Sequence, residues 1–379
     1  TAEFESVGRM KYDSSSDVLY LCDDKSSIIR IVDFSTQQVS TMSTSDNSAI
    51  TFAHASSVYP TYSQGERFPG MDVDSGGAYL YVTDRLNVYN LTRDGSSASS
   101  SHFVRETYTT LSAYKTVHGW PSRSLVLGIA VDEARGMLYL TVSFAVNVLL
   151  QVPMSASHHS EITVLAGDSS RFYQGIGESA TTPYALDGYG TASLLAFPSS
   201  LAFDVANDAL YFSEAFTEFS SPTDGLSVGS LAVRRYSLTT GYVSTYAGED
   251  FSEVDAEYVS EGGYRNGDSV SAQFSYPMSV TYGYSLLGRP VLFVADLFNG
   301  AIRTVHTALG TIPSGDLHSM PPSQSPSLSP STFPSSSPTT FTSSTPSTSP
   351  TVLPTVLPSS SPSTRPTSSF PTFVPSASP

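Results

Sequence analysis

Short apolar runs, some alternating with polar residues and some continuous, recur along residues 1–312 and are separated by turn-forming residues. The clearest set is SYPMSVTY (275–282), RPVLFVAD (289–296) and NGAIRTVH (299–306), with a weaker last run, ALGTI (308–312). Runs of that length, bounded by Gly, Asn, Asp and Pro, predict four short strands of one antiparallel sheet. A sheet with two apolar faces cannot bury both alone and needs further copies stacked against it.

The copies are present. A leucine-aromatic pair marks the second strand at Leu19-Tyr20, Leu80-Tyr81, Leu138-Tyr139, Leu210-Tyr211 and Leu292-Phe293. An Asp precedes that Leu by a fixed interval at Asp13, Asp74, Asp132 and Asp204, and an acid follows the aromatic at Asp23, Asp84, Glu214 and Asp296. An Ile/Val-Arg step marks the third strand at Arg30, Arg234 and Arg303, and VST begins the fourth at Val39 and Val243. Recurrence from unit to unit is what a structural role predicts. The acids are therefore expected to cap turns or to pair with those arginines.

The pattern resembles the NHL-repeat β-propellers. DGYGTASLLAFP (187–198) and NGDSVSAQFSYP (266–277) match that family's loop, and LFVAD and AIRTV match its second and third strands. The resemblance implies an all-β propeller of four-stranded antiparallel blades over residues 1–312, with five units visible. Closure is open at this point, since the family commonly has six blades. The chain starts at Thr1, inside a repeat, so it reads as a mature product or a fragment. Propellers host both binding and catalysis, so the resemblance does not choose between them.

The loops carry the functional expectation. The long segments join one unit to the next (43–67, 111–124, 168–196 and 249–272), and one more, 215–229, joins a second strand to a third. In an up-down-up-down blade these connection types emerge on one face, which marks it as the binding face. Its aromatics suit stacking on sugars or docking a peptide, and Tyr62, Trp120, Tyr173, Tyr189, Phe219 and Tyr264 are the candidates. Packing over the blade ends is the competing role. The acidic stretch 249–261 offers Asp250, Glu253, Asp255 and Glu257 as oxygen ligands for Ca²⁺, although their spacing follows no standard calcium loop and suits a solvated acidic loop equally.

Composition narrows the partners. Lys and Arg total 18 against 34 Asp and Glu, a net charge of −16. That balance argues against nucleic acid, which requires a basic footprint. A single cysteine, Cys22, excludes an intramolecular disulfide and a cysteine-based zinc site, and it occupies a small core slot. No apolar run reaches the length of a membrane span. Propeller enzymes gather His, acids or Asn from several blades around the central channel. Of the seven histidines here, only His54 and His118 fall in loops from which they could reach a common site.

After Ile312 the composition changes to Ser, Thr and regularly spaced Pro, and Arg365 is the last formally charged residue. Such a segment cannot bury a core; it is expected to be disordered and extended, a Ser/Thr/Pro-rich stalk over 313–379 of the kind that carries O-linked sugars. The reading that results is an extracellular or wall-associated binding module for a protein or glycan, with no required cofactor. A secreted enzyme of lyase or lactonase type, holding a divalent metal near the channel, is the alternative, and a passive spacer the third possibility.

Overall fold

The computed structural model describes residues 7–307 outside 24–27, 46, 53–69, 85, 95–100, 122–123, 144–145, 155–160, 171–184, 216–217, 220–226, 229, 249–261, 269–270 and 286–288. The chain divides into two units, Thr1–Thr311 and Ile312–Pro379, and every described residue belongs to the first.

Five antiparallel blades follow one another in chain order. The first is β1 (Val7–Asp13), β2 (Val18–Asp23), β3 (Ile28–Asp33) and β4 (Gln38–Thr41). The second is β5 (Met71–Val73), β6 (Tyr79–Asp84), β7 (Asn87–Arg93) and β8 (Phe103–Thr110). The third is β9 (Leu125–Asp132), β10 (Met137–Ser143), β11 (Val148–Pro153) and β12 (Thr163–Ala166). In the fourth, the two-residue β13 (Gly188–Tyr189) adds an outer strand to β14 (Pro198–Asp204), β15 (Ala209–Ala215), β18 (Leu231–Ser237) and β19 (Tyr242–Gly248). A small hairpin, β16 (Glu218–Phe219) with β17 (Ser227–Val228), lies within the β15–β18 connection. The fifth blade shows β20 (Pro277–Tyr284), β21 (Pro290–Asp296) and β22 (Ala301–His306). Its expected last strand, 308–312, lies outside the described residues. One short helix, α1 (Ser112–Val117), sits between the second and third blades. The protein is a five-bladed β-propeller.

The repeated leucine-aromatic pair explains how the blades hold one another. Side chains alternate across a strand, so neighbours in sequence face opposite sides of the sheet. Tyr20 packs with Leu80 of the next blade, Tyr81 with Leu138, Tyr139 with Leu210, and Tyr211 with Leu292. All eight side chains are almost wholly buried. Each is worth roughly 1.5–3 kcal/mol relative to exposure, before the entropy of ordering it.

In blades 1, 3 and 4 the repeated Asp at the end of the inner strand caps the turn that follows. Asp13 accepts from the Ser15 N–H at 2.9 Å, Asp132 from the Arg135 N–H at 3.1 Å, and Asp204 from the Ala206 and Asn207 N–H groups at 3.1 Å. At Asp13 and Asp204 these are Asx turns, and in all three a short carboxylate stands in for a backbone carbonyl. The recurrent acid of the second strand has the other expected role. Glu214 receives Arg234 Nη1 at 2.9 Å and the Ala196 N–H at 2.9 Å. Asp296 receives Arg303 Nη1 at 2.9 Å and the Ser275 N–H at 2.7 Å. The same arginines reach one loop residue further out, Arg234 to Asp187 at 2.7 Å and Arg303 to Asn266 at 2.8 Å. Asp187 and Asn266 occupy matching places in DGYGTASLLAFP and NGDSVSAQFSYP. Each lock ties the loop entering a blade to the second and third strands of that blade.

Candidate functional site

The inner strands β1, β5, β9, β14 and β20 surround a common cavity of about 410 Å³. Their registers are fixed by Tyr12, Val73, Val131, Phe203 and Tyr282, which stand opposite the five repeated leucines. Three residues earlier on each strand come Arg9, Gly70, Gly128, Ser200 and Ser279. Four of these positions are small, and the two glycines are so for a steric reason. A Cβ on Gly128 would lie 2.6 Å from Thr141 Oγ1 and 2.7 Å from the Ser199 carbonyl, and one on Gly70 would lie 2.7 Å from the Leu127 carbonyl. Hydroxyls on the second strands bind the same level together. Thr83 Oγ1 accepts from the Gly70 N–H at 2.7 Å, and Thr141 Oγ1 donates to the Ser199 carbonyl at 2.9 Å.

Arg9 breaks the small-residue rule. Its side chain leaves blade 1 and crosses to the third and fourth blades, where Nη1 donates to the Leu127 carbonyl and Nη2 to Ser199 Oγ at 2.7 Å. The residue is 5% exposed and Nε has no acceptor. No carboxylate touches the guanidinium among the described residues. Burial lowers its pKa to about 10, with a small opposing effect from Cys22, so it is a full cation at neutral pH.

The cavity runs from the Arg9 level to the turns after the inner strands, where Ser75, Glu133, Ala134 and Val205 form its mouth. Its walls are apolar at Ile129, Val131, Leu201, Phe203 and Val280. The acids around it are engaged by the protein. Asp72 pairs with Lys11 Nζ at 2.5 Å and accepts from the Val131 N–H at 2.8 Å. Glu133 takes the Ser75 N–H at 2.7 Å and its hydroxyl at 2.6 Å, and Asp132 takes Arg135 Nη1 at 2.7 Å. Burial pushes the Asp74 carboxyl up, and the charge of Glu133 adds to it against the pull of the Tyr79 N–H. Among the described residues no three His, Cys, Asp or Glu side chains converge to hold a metal ion.

No family model matches the chain, and no curated protein matches it. Solved structures share the architecture at low identity. An auxiliary nutrient binding protein from Bacteroides thetaiotaomicron is 14% identical with a TM-score of 0.42, covering 79% of this chain and 69% of its own. The calcium-binding protein regucalcin from Agrobacterium tumefaciens is 10% identical with a TM-score of 0.42, covering 81% and 72%. A chain of the nidogen/laminin complex is 14% identical with a TM-score of 0.38, covering 79% and 80%. These likenesses are distant and carry no functional argument.

The sequence candidates are dispersed. Tyr189 lies on the outer strand β13 and is 66% exposed, its ring edge-on to Tyr242 at 4.7 Å. Tyr264 is 62% exposed beside blade 5, with the Arg303 guanidinium 4.7 Å from its ring centroid. Trp120 is 4% exposed and packs edge-on to Tyr114 at 5.2 Å within the core between the second and third blades. It is a packing residue, because the α1 turn folds it inward and leaves no face for a ligand. The backbone of Phe219 pairs with Ser227 in the small hairpin. Tyr62, Tyr173, Asp250, Glu253, Asp255 and Glu257, together with His54, lie outside the described residues. His118 stacks on Tyr114 with centroids 4.1 Å apart. Arg9 belongs to no sequence motif. Its signal was the unit alignment, in which it stands where the other units have Gly or Ser.

Proposed function

We propose that this propeller is a non-catalytic binding module that meets an extracellular protein or glycan through the face carrying its long connections. The carrying observation is the placement of the strands. Connections 42–70, 111–124, 167–187, 216–230 and 249–276 all leave from one end of the antiparallel blades. At the opposite end, the turns 14–17, 133–136 and 205–208 are short and capped by Asp13, Asp132 and Asp204. A rigid scaffold that lengthens the loops of one face follows the general logic of recognition surfaces. Tyr264, within the connection 249–276, presents an exposed ring there, whereas Tyr189 stands opposite Tyr242 beside the short turn 238–241 at the other end. The Ser/Thr/Pro-rich segment 313–379 fits a stalk that carries the propeller away from a surface.

The test is an array of glycans and extracellular-matrix proteins probed with the intact chain. A variant in which 171–184 and 249–261 are replaced by short Gly-Ser linkers is probed in parallel. Specific retention of the intact chain and loss of signal for the variant, with an unchanged melting transition, is the expected result. Equal retention of both would move the interface off this face, and turnover of an array ligand would replace binding with catalysis.

A further inference from the structure

We infer that the central cavity is a binding site for a small organic monocarboxylate, with the anionic head on Arg9 and an apolar body along the channel wall. Three observations carry this. Arg9 is 5% exposed, lines the cavity and has no carboxylate partner among the described residues. Burying an unpaired cation is costly, and a bound anion is the usual remedy. The guanidinium makes two hydrogen bonds with its five N–H donors, and its planar fork is shaped to meet a carboxylate. The cavity of about 410 Å³ lies within the range of roughly 300–1,000 Å³ that small-molecule sites occupy, and Ile129, Val131, Leu201, Phe203 and Val280 supply apolar wall among its polar lining.

The surrounding charges define the ligand further. Lys11 is committed to Asp72, so Arg9 is the cation open to an anion. Glu133 and Asp74 stand at the mouth, and negative charge there opposes a second carboxylate, while Asp132 is paired with Arg135. The site therefore takes one negative charge, at the deep end. It opens on the short-turn face, so it is separate from the surface proposed above and stands or falls independently of it.

Calorimetric titration of the intact chain at neutral pH and constant ionic strength tests this, with butanoate and benzoate as probes. Butanol, benzyl alcohol and succinate are the comparisons. Saturable binding of at least one monocarboxylate, weakened at least tenfold for the matching alcohol and for succinate, is expected. Arg9→Met abolishes it. Thr281→Trp, at an exposed cavity position on β20, fills the channel without touching Arg9 and abolishes binding while leaving the melting transition in place. If Arg9→Met does not fold, Thr281→Trp decides. No saturable heat at millimolar ligand, equal binding of alcohol and carboxylate, or binding that survives Thr281→Trp would each overturn the assignment.

Discussion

Two buried arginines in this propeller meet opposite company. Arg234 is wholly buried and lies between two carboxylates, Glu214 at 2.9 Å and Asp187 at 2.7 Å. Arg9 is 5% exposed and is met by one carbonyl and one hydroxyl. Arg234 belongs to a lock repeated in blade 5 by Arg303, Asp296 and Asn266, whereas Arg9 occurs at one of five equivalent positions. Repetition and pairing with two carboxylates mark a part of the scaffold. A single copy with no carboxylate partner among the described residues marks a position whose charge remains available.

The largest predicted effect comes from breaking the paired arginine. Arg234→Met leaves Glu214 and Asp187 buried without their cation, which costs about 3–5 kcal/mol. Urea unfolding at pH 7 measures it. The loss is pH-dependent. Burial already pushes the Glu214 carboxyl up, against the pull of Arg234. Removing Arg234 removes that pull, so the variant's folded form holds a proton that the unfolded chain releases. Stability contributed this way is present at low pH and is lost as pH rises through the raised value. The gap between variant and wild type should therefore narrow from pH 7 to pH 5. A gap independent of pH would show that Glu214 is not the group left stranded.

A middle-sized effect tests whether the small-residue level of the channel is as tight as its geometry. Gly128→Ala places a methyl 2.7 Å from the Ser199 carbonyl, a backbone atom of the next blade. Overpacking of this kind costs typically 1–3 kcal/mol. Thermal unfolding reads it, and a change below 0.5 kcal/mol would mean that the inner strands move apart readily. The channel would then offer no fixed frame for Arg9.

The two arginines also separate what the sequence made legible from what it concealed. The blade strands were readable because alternation and turn residues are local and five copies reinforce one another. The pairing of Glu214 with Arg234 and of Asp296 with Arg303 followed from recurrence alone. Trp120 was misjudged because position in a loop says nothing about the direction a ring takes, and α1 turns it into the core beside Tyr114. Arg9 was missed for a different reason. Its neighbours, Leu127 and Ser199, lie in other blades and become adjacent only when the ring forms. Even so, aligning the units by the repeated leucine sets Arg9 against Gly70, Gly128, Ser200 and Ser279, and a long cation in a small-residue column is visible without coordinates.

The smallest effect is the most informative for the contrast. Arg9→Met forfeits two hydrogen bonds, each worth roughly 1.5–3 kcal/mol where a charge is involved. It also removes a cation that burial penalises, and the flexible Met stem fills part of the same space. Of the groups left behind, Ser199 Oγ can keep its bond to the Met278 carbonyl at 3.3 Å, which leaves the Leu127 carbonyl as the one group that loses its partner. These opposing changes should leave the ligand-free stability within about 1 kcal/mol of wild type. Urea unfolding of the two proteins in a buffer free of carboxylates makes the measurement. A loss of several kcal/mol, comparable with Arg234→Met, would make Arg9 a second structural brace and remove the reason to expect a ligand in the channel. Near-equality would leave a buried charge that the fold does not require for its stability, and its conspicuous use is then recognition of an anion.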